Sequence, residues 1–214
     1  MLRRMAEMSM NKVIHAAVRR DLARFTSALS SFPIGDTQRG SQLLLAWENL
    51  DDQLTHHHTG EHEIAWPALT SVGVTPELLE TMDSEHESLA AAMAEVRAAM
   101  PALSRTASAE DVARARRAFE RLTEVAVGHF EHEEAELEPV YQANRDRPEI
   151  KAMGRQFAKV GLARGGRFFA WVSEGASPQE MAAIKQDIPG PMLAIIGGIF
   201  GRGYRKNVAP VWRS

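Results

Sequence analysis

Six ionisable residues recur as two sets with nearly the same spacing, and their side chains are of the kind that binds metal ions. The sets are His15, His57 and Glu61, and His86, His129 and Glu133. In each set the second histidine follows the first after 42 or 43 residues, and the glutamate follows four residues later. A proline stands six residues beyond each glutamate, at Pro67 and Pro139. Imidazole and carboxylate ligands without sulfur suit non-haem iron, with manganese and zinc as alternatives. The doubled pattern predicts two metal ions.

All six residues fall on the apolar faces of predicted helices. Apolar side chains recur at steps of three and four residues in four segments, which is typical of packed helices. These seams run over residues 15–29, 43–68, 79–100 and 112–140. Residues four apart lie on one helix face, so His57 and Glu61 can reach a single centre. Six unpaired ionisable groups in a core would each cost several kcal/mol, roughly, and metal ligation removes that cost.

Single members of the pattern have simpler interpretations. A lone seam histidine such as His15 is typical of a hydrogen-bonded core residue, and His57 with Glu61 alone would fit a surface pair. The two matched sets together favour metal binding. The off-seam histidines are expected to be solvated; they are His56, His58, His62 and His132. His58 stays open as an alternative ligand or a hydrogen-bond donor to the site.

Boundary signals agree with four helices. Residues 31–40 contain proline and glycine and are predicted to form a loop. Thr75 is followed by Pro76, a helix cap with proline at the first helical position. Ser108 and Asp111 resemble a capping box, and Pro101 is expected to close the third helix. The connections are short, so residues 1–147 are predicted to form an all-α, up-down-up-down four-helix bundle that carries the metal site.

Residues 148–214 differ from the rest of the chain in charge. Residues 1–147 carry 15 basic and 24 acidic residues, whereas residues 148–214 carry 10 and 4. We predict a basic helical extension here, with a fifth helix over about residues 149–172 that is interrupted by Gly161, Gly165 and Gly166, and a short sixth helix capped by Ser177. The segment 191–204 is predicted to be one more helix or an irregular strap. The positive extension is expected to pack on the acidic bundle or on a second copy, and an anionic partner or membrane surface is the alternative.

Bulk properties exclude several classes of protein. The chain has no cysteine, so disulfides, thiolate metal sites and a cysteine nucleophile are excluded. No apolar segment has the length of a signal peptide or a membrane span, and we expect a cytoplasmic protein. The bundle is acidic and carries no recognition motif, so nucleic-acid binding is not expected.

The doubled pattern resembles the hemerythrin-like family of HHE cation-binding domains, over roughly residues 12–143. The resemblance implies that the four histidines are terminal ligands and that Glu61 and Glu133 bridge two iron ions, with an oxo or hydroxo group between them. The oxygen-carrying members have a further histidine one turn from the position of His86. Here the neighbours at that spacing are Met82 and Ala90. Glu133 also stands where those carriers have Asp.

The missing histidine implies a more open iron, which favours chemistry over reversible oxygen carriage. The shell resembles that of bacterial members that handle H2O2, O2 or NO, and we predict a peroxide-decomposing redox protein, catalase-like at most. Two alternatives remain: a non-enzymatic binder or sensor of O2, NO or iron, and a structural or zinc-binding bundle. Trp47, Trp66 and Tyr141 are candidates to line the pocket. A homodimer is compatible with the sequence.

Overall fold

The computed structural model describes residues 8–187 and 196–213, and within these ranges it is helical with no strand. The described elements are α1 (Met10–Ser30), α2 (Thr37–Gly60), a π-helical turn (Glu61–Ala65), α3 (Trp66–Thr70), α4 (Pro76–Arg105), α5 (Ala109–Asn144), α6 (Pro148–Phe157), α7 (Leu162–Ser173), α8 (Pro178–Asp187), a second π-helical turn (Ile196–Phe200), α9 (Arg202–Asn207) and a 3-10 helix (Ala209–Arg213). The all-α prediction is confirmed for this part of the chain.

The four long helices surround one apolar core. Helix α4 packs on α2 and α5, and α1 packs on α5 and α2. Each contributes one apolar stripe, and the largest fully buried side chains include Trp47, Phe25, Phe119 and Phe130. Burying a side chain of this size contributes about 1.5–3 kcal/mol each, so packing rather than helix propensity holds the four helices together.

The predicted helix starts are largely confirmed. The Thr75 hydroxyl accepts the Leu78 N–H at the start of α4. Ser108 and Asp111 form a reciprocal capping box at the start of α5. The second helix begins earlier than predicted, at Thr37, because the Asp36 carboxylate accepts the Arg39 N–H at 2.8 Å. The predicted loop therefore ends before residue 37.

One predicted helix end is wrong. Pro101 does not close the third helix, which continues to Arg105. Proline removes one backbone hydrogen bond, and burial of Met100 and Leu103 on either side offsets that loss. The interrupted fifth helix predicted over residues 149–172 is observed as two helices, α6 and α7, separated around Gly161, whereas Gly165 and Gly166 lie within α7.

The second long helix contains a π-helical turn that the sequence periodicity did not predict. The backbone N–H of Trp66 donates to the Glu61 carbonyl, five residues back instead of four. The extra residue in this turn shifts by one position the set of following residues that face the core. Ala65, Trp66 and Leu69 are consequently buried, whereas the seam residues predicted here, Ile64 and Ala68, are only half-buried. Turns of this kind are frequent at functional sites.

Three of the C-terminal helices lie against the N-terminal elements. Helices α7 and α8 contact α1, and α6 contacts the π-helical turn and α3. The indole Nε1 of Trp171 donates to Asp21 at 2.8 Å in a buried position, and Arg164 pairs with Asp52 at 2.9 Å. These contacts fit the expectation that the basic extension packs on the bundle. The division of the chain at residue 147 stays a prediction.

Two predictions extend beyond the described residues. The first seven residues, on which part of the signal-peptide expectation rests, lie outside them, as do residues 191–195 of the predicted segment 191–204. The described remainder of that segment forms the second π-helical turn and the start of α9. In the described ranges, no helix combines the length and the apolarity needed to cross a membrane.

Candidate metal centre

The structure brings all six predicted ligands together in the middle of the four long helices. Two groups of ligand atoms form, each with its atoms within 4.8 Å of one another. The first group is His15, His57, Glu61 and Glu133, and the second is His58, Glu61, His86 and His129. Glu61 belongs to both groups. Whether these residues bind metal stays a prediction, but their arrangement is that of two neighbouring sites sharing a carboxylate.

The first group joins α1, α2 and α5. The Nε2 atoms of His15 and His57 lie 3.2 Å apart, and Glu133 Oε2 lies 3.1 Å from His15 Nε2. Glu61 Oε1 lies 3.2 Å from His57 Nε2. Four ligand atoms from three helices therefore converge on one point.

The second group joins α2, α4 and α5. The Nε2 atoms of His86 and His129 lie 3.0 Å apart, and Glu61 Oε2 lies 3.4 Å from His86 Nε2. One oxygen of Glu61 thus faces each group. Glu133 Oε2 also approaches His129 Nε2, at 3.9 Å. Both glutamates are positioned between the groups.

His58 corrects the sequence-based expectation that it is solvated. Its ring stacks on His86, with centroids 4.2 Å apart and planes 28° from parallel. Its Nε2 atom is buried and has no hydrogen-bond partner among the described residues. The run of three consecutive histidines was a signal, but periodicity alone placed His58 off the seam. In the structure, it points into the second group from the same helix as His57.

Carboxylates outside the two groups orient the histidines. His15 Nδ1 lies 3.0 Å from Glu134 Oε1, and His129 Nδ1 lies 2.9 Å from Glu85 Oε2. An ionised carboxylate only accepts, so each Nδ1 donates its proton outward, and in the neutral ring each Nε2 presents a lone pair to the centre. Metal-bound histidines are held in this way, with the outer nitrogen donating to a carboxylate.

Further side chains support these outer contacts. Arg19 donates to Glu134 at 2.7 Å, and Asn11 donates to the second oxygen of Glu133 at 2.8 Å. The Phe130 ring stacks on His15, with centroids 4.1 Å apart. The sequence pattern did not indicate Asn11, Glu85 or Glu134. These residues contact site residues on other helices, so no local spacing identifies them.

Burial and charge set the protonation of the histidines in this cluster. Burial, reinforced by neighbouring imidazoles, lowers the pKa of His57 and His58 well below the usual value, and it lowers the pKa of His86 to about 4. Burial also opposes protonation of His15, but hydrogen bonds to Glu133 and Glu134 outweigh it and raise its pKa. His57, His58 and His86 are therefore neutral at physiological pH and able to donate a lone pair.

The pKa values of Glu61 and Glu133 shift in opposite directions. Burial, and then the charge of Glu133, raises the pKa of Glu61 well above its ordinary value. Burial opposes ionisation of Glu133 as well, but the close approach of His15 at 3.1 Å and the hydrogen bond from Asn11 outweigh it and lower the pKa of Glu133 to about 2. Two buried carboxylates side by side repel each other, and a cation between them would relieve that repulsion.

Unpartnered acceptor atoms show that the residues fit bound cations. Both oxygens of Glu61, Oε2 of Glu133 and Nε2 of His58 are buried and lack a hydrogen-bond partner in the described part of the chain. A buried acceptor without a partner costs about 1–3 kcal/mol. All four are metal-ligand atoms that face the centre, so cations would satisfy them together.

The other off-seam histidines lie outside the two groups. His62 is exposed and lies 3.1 Å from Asp83, and His132 lies 2.7 Å from Glu85. His56 is exposed. Of the aromatic candidates, Trp66 stacks near His86, whereas Trp47 packs on Phe119 in the apolar core. Tyr141 is half-buried in a smaller apolar cluster beside Trp66.

A helical fold in the described residues and a buried imidazole–carboxylate cluster are the features expected of a helical, cation-binding class of protein. Residues 11–141 and 78–160 match the family model described as "Hemerythrin HHE cation binding domain". These segments cover more than half of the chain, which therefore belongs to the hemerythrin HHE family. The chain matches no curated protein and no solved structure.

Proposed function

We propose that this protein holds two iron ions in an up-down-up-down four-helix bundle and decomposes hydrogen peroxide there. The observation that carries the proposal is the pair of ligand groups sharing Glu61, whose two buried oxygens have no hydrogen-bond partner among the described residues and each face a different group. One ion would be held by His15 and His57, and the other by His58, His86 and His129. Glu61 and Glu133 would lie between them.

His58 changes the side of the cluster on which an open coordination position is expected. The sequence suggested an open iron on the side of His86, where a histidine is missing from the third helix. His58 supplies a third imidazole to that side from the second helix. The His15 and His57 side has two imidazoles, so a small oxidant would bind there.

The burial of the cluster limits the substrate to very small molecules. His15 is fully buried, Glu133 is 3% exposed and His57 is 9% exposed. His86 has the most open side chain of the six predicted ligands, at 11%. An organic substrate would have to displace core side chains to reach the ligands, whereas H2O2, O2 or NO would not.

The surrounding residues can hold and supply protons. Bound iron would supply the redox chemistry. Glu134 and Glu85 keep the Nδ1 protons of His15 and His129 in place, so the lone pairs stay directed inward. The Asp83–His62 pair is accessible to solvent and lies beside His86, so protons consumed when peroxide becomes water can be replaced there.

Iron content and peroxide turnover test the proposal. We expect protein loaded anaerobically with ferrous iron to bind two ions per chain and to show the charge-transfer absorption of an oxo-bridged pair after oxidation. We expect it to consume H2O2 catalytically, above the rate of the same concentration of free iron. Zinc alone at the site, or turnover no faster than free iron, would reject the peroxide function.

A second candidate is a non-enzymatic binder or sensor of O2, NO or iron. His58 favours it, because three imidazoles on one side and two on the other leave a single position for a reversibly bound molecule. A spectral change that is reversed by removing the gas, with no net peroxide consumption, would favour this candidate over an enzyme.

His58→Ala is expected to lower the bound iron from two ions per chain toward one, because it removes an imidazole from the second group alone. Loss of a contact that supports a metal ligand lowers metal affinity by roughly 10–100-fold. Loss of the ligand itself should lower the affinity by at least as much. Iron titration followed by elemental analysis measures this. His56→Ala is the matched control, since His56 is the exposed preceding residue. Equal iron content in all three proteins would exclude His58 as a ligand.

A further inference from the structure

Trp66 is in direct contact with the second ligand group. Its ring lies nearly parallel to that of His86, 11° apart, with the centroids separated by 5.8 Å. The indole Nε1 donates to Asp83 Oδ1 at 2.8 Å, and the same oxygen lies 3.8 Å from His86 Nδ1. Tryptophan, carboxylate and histidine thus form one connected unit at the edge of the site.

The π-helical turn places Trp66 there. The N–H of Trp66 bonds to the Glu61 carbonyl five residues back, so Trp66 lies one turn beyond Glu61 on nearly the same side of the helix. A regular α-helix would turn residue 66 well away from the face of Glu61, because its repeat is 3.6 residues. The extra residue in the turn therefore brings an oxidisable side chain to the ligands at the expense of regular helix geometry.

We propose that Trp66 is a one-electron donor to an oxidant bound at the metal centre, with Asp83 as the acceptor of the indole proton. This inference rests on the proposed function. Reduction of one H2O2 to two water molecules takes up two electrons and two protons. Trp66 gives one electron and its Nε1 proton passes to Asp83, leaving a neutral indolyl radical. The second electron would come from ferrous iron held by the ligand groups, and solvent would supply the two protons.

The radical then has two fates that also balance. A small one-electron reductant such as ascorbate returns the electron, and the proton returns from Asp83 to Nε1. Without such a reductant, O2 adds to a ring carbon of the radical, and the resulting peroxyl group takes a hydrogen atom from an organic buffer molecule to become a hydroperoxide, so the indole gains oxygen. This transfer of an electron from Trp66 to the metal centre, the relay, would protect the ligands. It makes a second electron available when only one ferrous ion is present.

The surroundings of Asp83 suit proton transfer. Its side chain is 36% exposed, and its other oxygen lies 3.1 Å from Nδ1 of His62, which is 67% exposed. A proton received from Trp66 can therefore leave to solvent. The indole itself is only 5% exposed, which shields the radical from bulk reactions.

Trp171 provides a matched internal control. It is also buried and also donates to an aspartate at 2.8 Å, in this case Asp21. Its ring contacts Phe168 and no site histidine in the described part of the chain. A difference in oxidation between the two tryptophans would therefore reflect their distance from the metal centre, because both are buried and both are hydrogen-bonded to an aspartate.

The test compares wild type, Trp66→Phe and Trp171→Phe, each loaded with two iron ions of which one is ferrous and one ferric, after one equivalent of H2O2 in aerated buffer without reductant. Freeze-quenched samples are examined by electron paramagnetic resonance, and digested samples by peptide mass spectrometry. We expect an organic radical in wild type and in Trp171→Phe that is lost in Trp66→Phe. We expect added oxygen on Trp66 and none on Trp171, and loss of that oxygen when ascorbate is present.

Iron content and peroxide consumption are measured on the same samples, which separates the two proposals. Two bound ions and peroxide consumption with an unmodified Trp66 and no radical would overturn the relay alone. Equal oxygen on Trp66 and Trp171, or a radical that persists in Trp66→Phe, would also overturn it. Absence of bound iron would overturn both proposals. If Trp66→Phe does not fold, oxidation of the two tryptophans in wild type still decides the question.

Discussion

Glu61→Gln is expected to abolish iron binding at both groups while leaving the metal-free protein almost as stable as wild type. Each oxygen of Glu61 faces one group, and an amide cannot offer two anionic oxygens. Burial raises the pKa of Glu61 well above its ordinary value, which favours the neutral carboxyl group in the metal-free fold, and glutamine has nearly the same shape as that group. The metal-free free energy of unfolding should change by no more than about 1 kcal/mol, roughly one hydrogen bond.

Thermal unfolding with and without ferrous iron measures both parts of this prediction. Wild type should gain about 2.7 kcal/mol when free iron is about 100 times the dissociation constant, and Glu61→Gln should gain nothing. Glu63→Gln is the matched control, because Glu63 lies on the exposed side of the same π-helical turn. Wild-type iron content in Glu61→Gln would contradict the shared-carboxylate assignment.

Trp171→Ala is expected to destabilise the whole protein by about 3–5 kcal/mol, the range for truncating a large buried aromatic side chain. Trp171 is 1% exposed and connects the C-terminal region to α1 through Asp21, which is itself 2% exposed. The substitution leaves a cavity and removes one of the hydrogen bonds that hold the buried carboxylate. Urea unfolding followed by far-ultraviolet circular dichroism measures the change.

Trp171→Phe separates packing from hydrogen bonding. It removes the Nε1 donor but keeps a buried aromatic ring, although a smaller one, so we expect a smaller loss of about 1–3 kcal/mol, the range for a buried group left without a partner. Arg24 still pairs with Asp21 at 2.9 Å in either variant. Two separate unfolding transitions in wild type, with Trp171→Ala affecting one of them, would show that the C-terminal region folds independently of the bundle.

Taken together, these variants probe two different sources of stability. The metal centre is a set of buried polar atoms whose partners would be cations, so its contribution depends on iron. The contact between Trp171 and α1 depends on apolar burial and one hydrogen bond. Iron should therefore raise the unfolding temperature of Trp171→Ala by about as much as that of wild type.

The sequence alone was sufficient to predict the helical class and to select six residues that the fold brings together. Helical periodicity is local, and a spacing of four residues places a histidine and a glutamate on the same face of a helix. The caps at Thr75 and Ser108 were predictable for the same reason, because each satisfies backbone groups within its own first turn.

Only the tertiary structure showed what surrounds those residues. Glu85 and Glu134 reach their histidines from neighbouring helices, and their partners lie 44 and 119 residues away in the chain. His58 was placed off the seam by a regular repeat, yet its ring packs against His86 on another helix. Contacts of this kind depend on how helices are rotated against one another, which no local pattern encodes.

The π-helical turn explains why the periodicity failed after Glu61. One extra residue per turn costs little where a helix is held by its neighbours, and it rotates Trp66 toward the ligands while Ile64 becomes half-buried. Residue type and local spacing identified six candidate metal ligands, because both can be taken directly from the chain. The packing of helices decided which further groups hold them, because burial and hydrogen bonding are properties of the assembled core.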